Sequence, residues 1–222
     1  MRRFEFAVDR DHARAVNEVV AYLRRLRIWA FTAAAGLGLG TAFLIWVNHP
    51  WSWLLAVAFL AAAVTAAFIG YWMPHRGRVD KLYAAGALVP AVVSETNGNG
   101  ATLLALVDLA KPNTPGPRYA LVTRTVRSLP GHRARTGERV PAVTVRVDRA
   151  PGPVGDLWQT VSAMPIAWGT RDLNIIERAR EAIHEVEWKL LTDNLDLATK
   201  VRGADAKRLL LDPRQLPEEL RG

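Results

Sequence analysis

The chain has 222 residues, no cysteine, and a formal net charge of +8, with 24 Arg and 5 Lys against 21 acidic residues. The length fits one or two domains, and the lack of cysteine excludes disulfides and thiolate metal sites. A basic balance suits nucleic acid, anionic lipid or the positive flanks of a membrane protein, so the distribution of charge has to decide.

Asp9 and Asp11 are placed to cap a helix running to about Leu26. Ala15, Val16, Val19, Val20, Leu23 and Leu26 follow helical spacing, with Arg10, Arg14, Arg24 and Arg25 on other faces. Residues 1–27 are read as an amphipathic cytoplasmic N-terminal helix. It either lies on the inner leaflet, held by anionic lipid, or packs on the soluble domain.

Ile28 to Val47 and Trp51 to Met73 contain no Asp, Glu, Lys or Arg. At about 1.5 Å per residue they span roughly 30 and 35 Å, which matches a hydrocarbon core of about 30 Å. Only Asn48, His49 and Pro50 separate them, so 28–73 is predicted to be a transmembrane helical hairpin. A signal peptide fits neither the position nor the length of the first run. Arg24, Arg25 and Arg27 precede the first span, Arg76, Arg78 and Lys81 follow the second, and the turn has no Lys or Arg. The positive-inside bias predicts a multi-pass protein of the inner (plasma) membrane with both termini cytoplasmic. Trp46, Trp51 and Trp53 mark the outer boundary, and Trp29, Tyr71 and Trp72 the inner one.

Thr32, Gly36 and Gly40 recur every fourth residue, as do Ala58, Ala62, Ala66 and Gly70. Small residues let helices approach closely in lipid, so Gly36, Gly40, Ala62, Ala66 and Gly70 are the expected packing positions. Arg24, Arg25, Arg27, Arg76 and Arg78 are candidate contacts for anionic lipid, together with Arg133 and Arg135 in a later loop.

Residues 78–202 are predicted to be a cytoplasmic α+β domain. Leu88 to Glu95, Ala101 to Leu109, Tyr119 to Val126 and Val140 to Val147 read as short strands, with Asn97-Gly98-Asn99-Gly100 as a turn. Such strands with Gly turns suggest a small β-barrel or curled antiparallel sheet, because closure removes exposed edges. Residues 150 to 170 read as irregular, Asp172 to Leu191 as one C-terminal helix, and 203–222 as a charged tail that frays after one short helix.

No catalytic constellation, cofactor motif or metal set stands out. Gly36-Leu37-Gly38-Leu39-Gly40 lies inside an apolar run with no strand before it, and His184-Glu185 lacks the second histidine of a zinc helix. Asp108 is expected to pair with Arg124 or Arg139, and a pocket gathering these with His132 is what an enzyme would need. Nucleic acid is not an expected partner, since Tyr119 is nearly alone as an aromatic among the strands.

Three segments carry a family resemblance: Gly86-Ala87-Leu88-Val89-Pro90-Ala91-Val92, Gly137-Glu138-Arg139-Val140-Pro141-Ala142 and Pro165-Ile166-Ala167-Trp168-Gly169-Thr170. With the order of parts, they make the chain resemble a family of actinobacterial two-span membrane proteins classed as a domain of unknown function. The similarity is expected over most of residues 28 to 191. It implies an actinobacterial inner membrane and no activity. The function expected from the sequence is a non-enzymatic, membrane-anchored accessory or scaffold protein that binds a membrane or cytoplasmic protein, in cell-envelope assembly. The alternative is a tethered module for lipid or a small ligand.

Overall fold

The structure is a computed structural model and describes residues 2–76, 79–98, 100–112, 114–147, 156–158, 160–204 and 207–220. The chain forms two compact units, Asn17–Lys81 and a second made of Met1–Val16 with Leu82–Gly222.

In the first unit, α2 (Glu18–Val47) and α3 (Pro50–Arg76) form the hairpin. Asn17 caps α2 by accepting from the amides of Val19 and Val20. Asn48 ends it in the left-handed region at φ 53°. Both helices are long and apolar enough to cross a membrane. Their most apolar windows are only 6% and 11% buried, which no core helix of a water-soluble protein would be.

The seam between the two helices corrects one expectation. Within the apolar runs, the buried or half-buried positions are Ala30, Ala34, Leu37, Gly38, Gly40, Thr41 and Leu44 on α2, and Ser52, Ala56, Ala63, Ala66, Ala67 and Gly70 on α3. Ala30, Ala34, Leu37, Thr41 and Leu44 advance by fours and threes, an average period of about 3.5. A strict step of four residues instead drifts around the helix by roughly 40° each time, so the small-residue ladder meets the seam at Gly40, Ala66 and Gly70 and leaves it at Gly36 and Ala62. Gly36 faces open space and Ala62 is exposed. Gly40 lies against Phe59, and Gly70 against Ala30 and Phe31. The hydroxyl of Thr41 is satisfied by the carbonyl of Leu37 at 2.9 Å.

The second unit is built on a six-stranded antiparallel sheet in the order β5-β4-β1-β2-β3-β6. The strands are β1 (Leu88–Asn97), β2 (Gly100–Asp108), β3 (Tyr119–Val126), β4 (Arg139–Val147), β5 (Thr160–Pro165) and β6 (Arg208–Leu210). Ala101 to Val107 are all buried, so β2 is covered on both faces, as its unbroken apolar sequence requires. On one face, α5 (Leu173–Glu181) packs on β4, α6 (Glu185–Asp193) on β1 and β2, and α7 (Leu197–Gly203) on β3. On the other face the sheet curls, with a bulge at Ser94 in β1. The curl brings β3 and β5 together although three strands separate them in the sheet. Arg124 of β3 donates to Ser162 Oγ at 3.0 Å and Ala163 O at 3.1 Å in β5, and stacks over Trp168 at 4.9 Å. The expected curled sheet is therefore present, pinned across its open side by an arginine. At the β1–β2 turn Gly100 has φ +151°, and a Cβ there would collide with the carbonyl of Val126.

Other boundaries differ from the sequence reading. β5 lies in the stretch read as irregular. The helix read over 172–191 is two helices, broken between Glu181 and Glu185. The break lets Ile176, Ala179, Ile183, Trp188 and Leu191 all bury, and Trp188 Nε1 donates at 3.4 Å to the carbonyl of Arg180, which also accepts from Ile183 N at 3.3 Å. The charged tail does not fray: β6 pairs with β3, and Leu216 and Leu220 are buried.

The largest correction concerns residues 1–27. The helix breaks at Asn17, and α1 (Arg10–Val16) belongs to the sheet-containing unit, with Ala13 fully buried and His12 Nε2 2.9 Å from the carbonyl of Ala167. Ahead of it the chain runs extended. Phe4, Phe6 and Val8 are half-buried, whereas Arg3, Glu5 and Ala7 are exposed. Leu88 N donates to Arg2 O at 2.8 Å, and Asp9 N to Gly169 O at 2.8 Å. Phe6 meets the ring of Tyr83, in α4 (Val79–Ala85), edge to face at 5.1 Å.

The loop between β3 and β4 is tied down from inside. The side chain of His132 is 1% exposed, with Nδ1 3.0 Å from Glu138 Oε1. The Glu138 carboxylate also accepts from the amides of Arg133 at 3.0 Å and Arg135 at 3.2 Å. Burial pushes the His132 imidazole below its usual value, outweighing the pull of Glu138, with Arg180 opposing and Glu177 favouring its charge.

Two outcomes are expected. Ala63→Phe overpacks the seam and costs about 1–3 kcal/mol, whereas Ala62→Phe faces outward and costs less than about 0.5 kcal/mol, in denaturation of the detergent-solubilised protein. His132 is held neutral in the fold, so its contribution is complete above its unfolded pKa of about 6.5 and is lost as pH falls through the lower folded value. Thermal melts between pH 7.5 and 5.5 should show this decline, flattened in His132→Gln.

Candidate functional site

A cavity of about 340 Å³ opens where the strand ends of the sheet fall out of step. β1 starts at Leu88, opposite Val143 of β4, so Thr144 to Val147 run on past it. The turn before β1 fills part of the gap. Thr144 N donates to Ala87 O at 2.9 Å, and Ala87 N donates to Thr144 Oγ1 at 3.0 Å. Gly86 permits this approach, because a Cβ would strike Val143 and the carbonyl of Thr144. The space that remains is lined by charged and polar side chains from five different places, among them Arg2, Asp108, Tyr119, Arg146 and Glu187.

Asp108 and Tyr119 are directly paired across β2 and β3, so they share a face of the sheet. Asp108 Oδ1 accepts from the amides of Ala110 and Arg118, each at 2.9 Å, and so clamps both ends of the Pro-containing loop between the two strands. Arg146 reaches in from the overhang of β4, with its guanidinium 5.8 Å from the ring of Trp158. Burial lowers the pKa of Arg146, and the Asp108 charge opposes that shift. Arg2 forms an ion pair with Glu187 of α6 and donates to Ala182 O at 2.6 Å. Tyr119 is influenced by Asp108, Arg2 and Glu187. Burial raises its phenol, the Glu187 and Asp108 carboxylates raise it further, and Arg2 opposes them. The phenol therefore stays protonated near neutrality and offers both a donor and an acceptor.

The residues singled out from the sequence are not gathered here. Asp108 does line the cavity, but its expected partners lie elsewhere. Arg124 closes the curl of the sheet, and Arg139 pairs bidentately with Glu185 (2.7 Å for one bond) over the ring of Trp188 at 5.5 Å. His132 is buried beneath its loop. Register explains the first error: Arg124 is opposite Leu103, five positions from Asp108 on β2. Arg133 and Arg135 are exposed on the loop that Glu138 holds, and Arg24, Arg25 and Arg27 are exposed on α2. Arg78 and the side chain of Arg76 lie outside the described residues. Sequence reasoning missed Arg2, Arg146 and Glu187. The alternation of Phe4, Phe6 and Val8 was the available signal that the N-terminal segment is a strand-like strap which carries Arg2 into the fold.

Residues 75–199 match a family described as "Protein of unknown function (DUF3239)". A solved structure, "Crystal structure of a putative membrane protein from Corynebacterium diphtheriae", is similar with a TM-score of 0.51 and 38% identity, over 56% of this chain and 99% of that one. No curated protein matches. The family match contains all three segments that carry the resemblance, but it begins at residue 75, after the apolar helices, rather than at 28. The segments have physical work to do: Gly86 admits the overhang of β4, Glu138 clamps the loop before it, and Gly169 lies under Phe6 and Tyr83. With more than half of its length matched, the chain belongs to the DUF3239 family.

Proposed function

We propose that this protein is a two-span membrane-anchored module whose sheet domain, on the cytoplasmic side, binds a small polar ligand in the cavity beside Tyr119. The observation that carries the proposal is the convergence of Arg2, Asp108, Tyr119, Arg146 and Glu187 on one space of about 340 Å³. The topology has its own support. Residues 2–16 and 82–220 fold as one unit, so a chain that enters the bilayer at α2 has to return to the same side through α3. Arginines at 24, 25 and 27 and their absence from the turn favour the cytoplasm as that side.

A scaffold that docks a protein through an apolar patch has less support. Among the described residues of this unit, the exposed large hydrophobic side chains are Leu173 and Leu210. A site for acyl chains also fits poorly, since it would strip water from four ionised groups without replacing their partners.

The natural chain has no cysteine, so single cysteines report topology without background. His49→Cys in the turn should react with a membrane-impermeant maleimide in intact cells, and Leu173→Cys only after lysis. Labelling of Leu173→Cys in intact cells overturns the orientation. For binding, at least one solute in a library of polar metabolites should raise the melting temperature of the nanodisc-embedded protein, and Glu187→Gln should abolish the rise. A library with no stabilising member overturns the binding reading.

A further inference from the structure

We infer that the cavity selects a small zwitterion, a molecule with one anionic and one ammonium group and no net charge. The inference rests on the binding-module reading above and adds the chemical class of the ligand. The lining carries two guanidinium groups, Arg2 and Arg146, and two carboxylates, Asp108 and Glu187, so its formal charge is balanced. A ligand with net charge would leave one charge uncompensated in a partly desolvated space, which is costly. A dipolar ligand adds one charge of each sign and keeps the balance, with its anionic end toward a guanidinium and its ammonium toward a carboxylate of the lining.

The positions of the charges suit this. Arg146 enters from β4 beside Trp158, and Glu187 enters from α6, a separate element. Tyr119 lines the same cavity and is paired with Asp108 across β2 and β3, so its hydroxyl stands beside one of the carboxylates that would take the ammonium. The volume of about 340 Å³ is at the small end for ligand pockets and admits an amino acid or an isolated lipid headgroup. The same chemistry has two sources: a free amino-acid-like solute, or the ethanolamine headgroup of a phospholipid.

Calorimetric titration of the full-length protein in phosphatidylglycerol nanodiscs separates the cases. The probes are alanine and glycerophosphoethanolamine as zwitterions, with acetate, methylammonium, inorganic phosphate and glycerol as fragments and competitors. Binding of a zwitterion at least about tenfold tighter than acetate or methylammonium is expected, weakened about tenfold or more by Arg146→Gln and by Asp108→Asn. The Asn variant keeps an oxygen for the Ala110 and Arg118 amides, so it tests charge rather than folding. Tyr119→Phe, which removes a single hydroxyl, is the second safeguard. Preference for alanine assigns a free solute, and preference for glycerophosphoethanolamine assigns the headgroup. Phosphate, glycerol or a single-charge fragment binding as tightly as either zwitterion overturns the class and leaves the binding module standing. No binding by any probe, while some other solute stabilises the protein in the library screen, overturns the class alone. No binding in either experiment overturns both.

Discussion

Two backbone hydrogen bonds tie the start of the chain into the sheet domain: Leu88 N to Arg2 O, and Asp9 N to Gly169 O. Much of the architecture depends on them. They make the helix pair an insertion within a soluble fold rather than a leader in front of it. A chain that leaves a folded unit and rejoins it crosses a bilayer an even number of times or not at all. The same strap delivers Arg2 to Glu187 and so supplies one wall of the cavity. The return of the chain after the helix pair and one wall of the cavity therefore share a cause in the extended segment before α1.

The sheet meets a different constraint. Six antiparallel strands leave two edges, and backbone closure is one of several ways to manage them. Here the curl is bridged by the Arg124 guanidinium, which satisfies its donors on β5 and rests on a buried tryptophan. A charge in that place is tolerable because it is hydrogen-bonded and stacked, whereas a bare one would not be. The cavity also gathers charges of both signs. Its cations and carboxylates are balanced but come from separate elements, and that is the arrangement a dipolar guest can enter without leaving a charge alone.

The comparison of sequence with structure is instructive where it fails. The packing ladder at every fourth residue was a real pattern of small residues, yet the seam follows a period near 3.5, so Ala62 turned outward and Ala63 inward. Asp108 stands out in the sequence as a polar residue in an apolar strand, but charge alone points to Arg124 or Arg139 as its neighbour, whereas the register places Tyr119 opposite it. The helix after residue 172 was legible as apolar spacing. Its break was not, because only packing around Trp188 demands it.

The sequence by itself determined what depends on local composition. Two uncharged apolar runs must avoid water whatever surrounds them, and the strands β1 to β4 with their turns follow from β-branched runs and Gly-Asn signals. Only the tertiary structure decided which distant groups meet: the strap on β1, β6 on β3, Arg124 on β5, and the five polar side chains around one cavity. Those encounters join residues as many as 185 positions apart, as in the pairing of Arg2 with Glu187. They are fixed by strand order, register and the burial of shared faces, none of which a window of neighbouring residues contains.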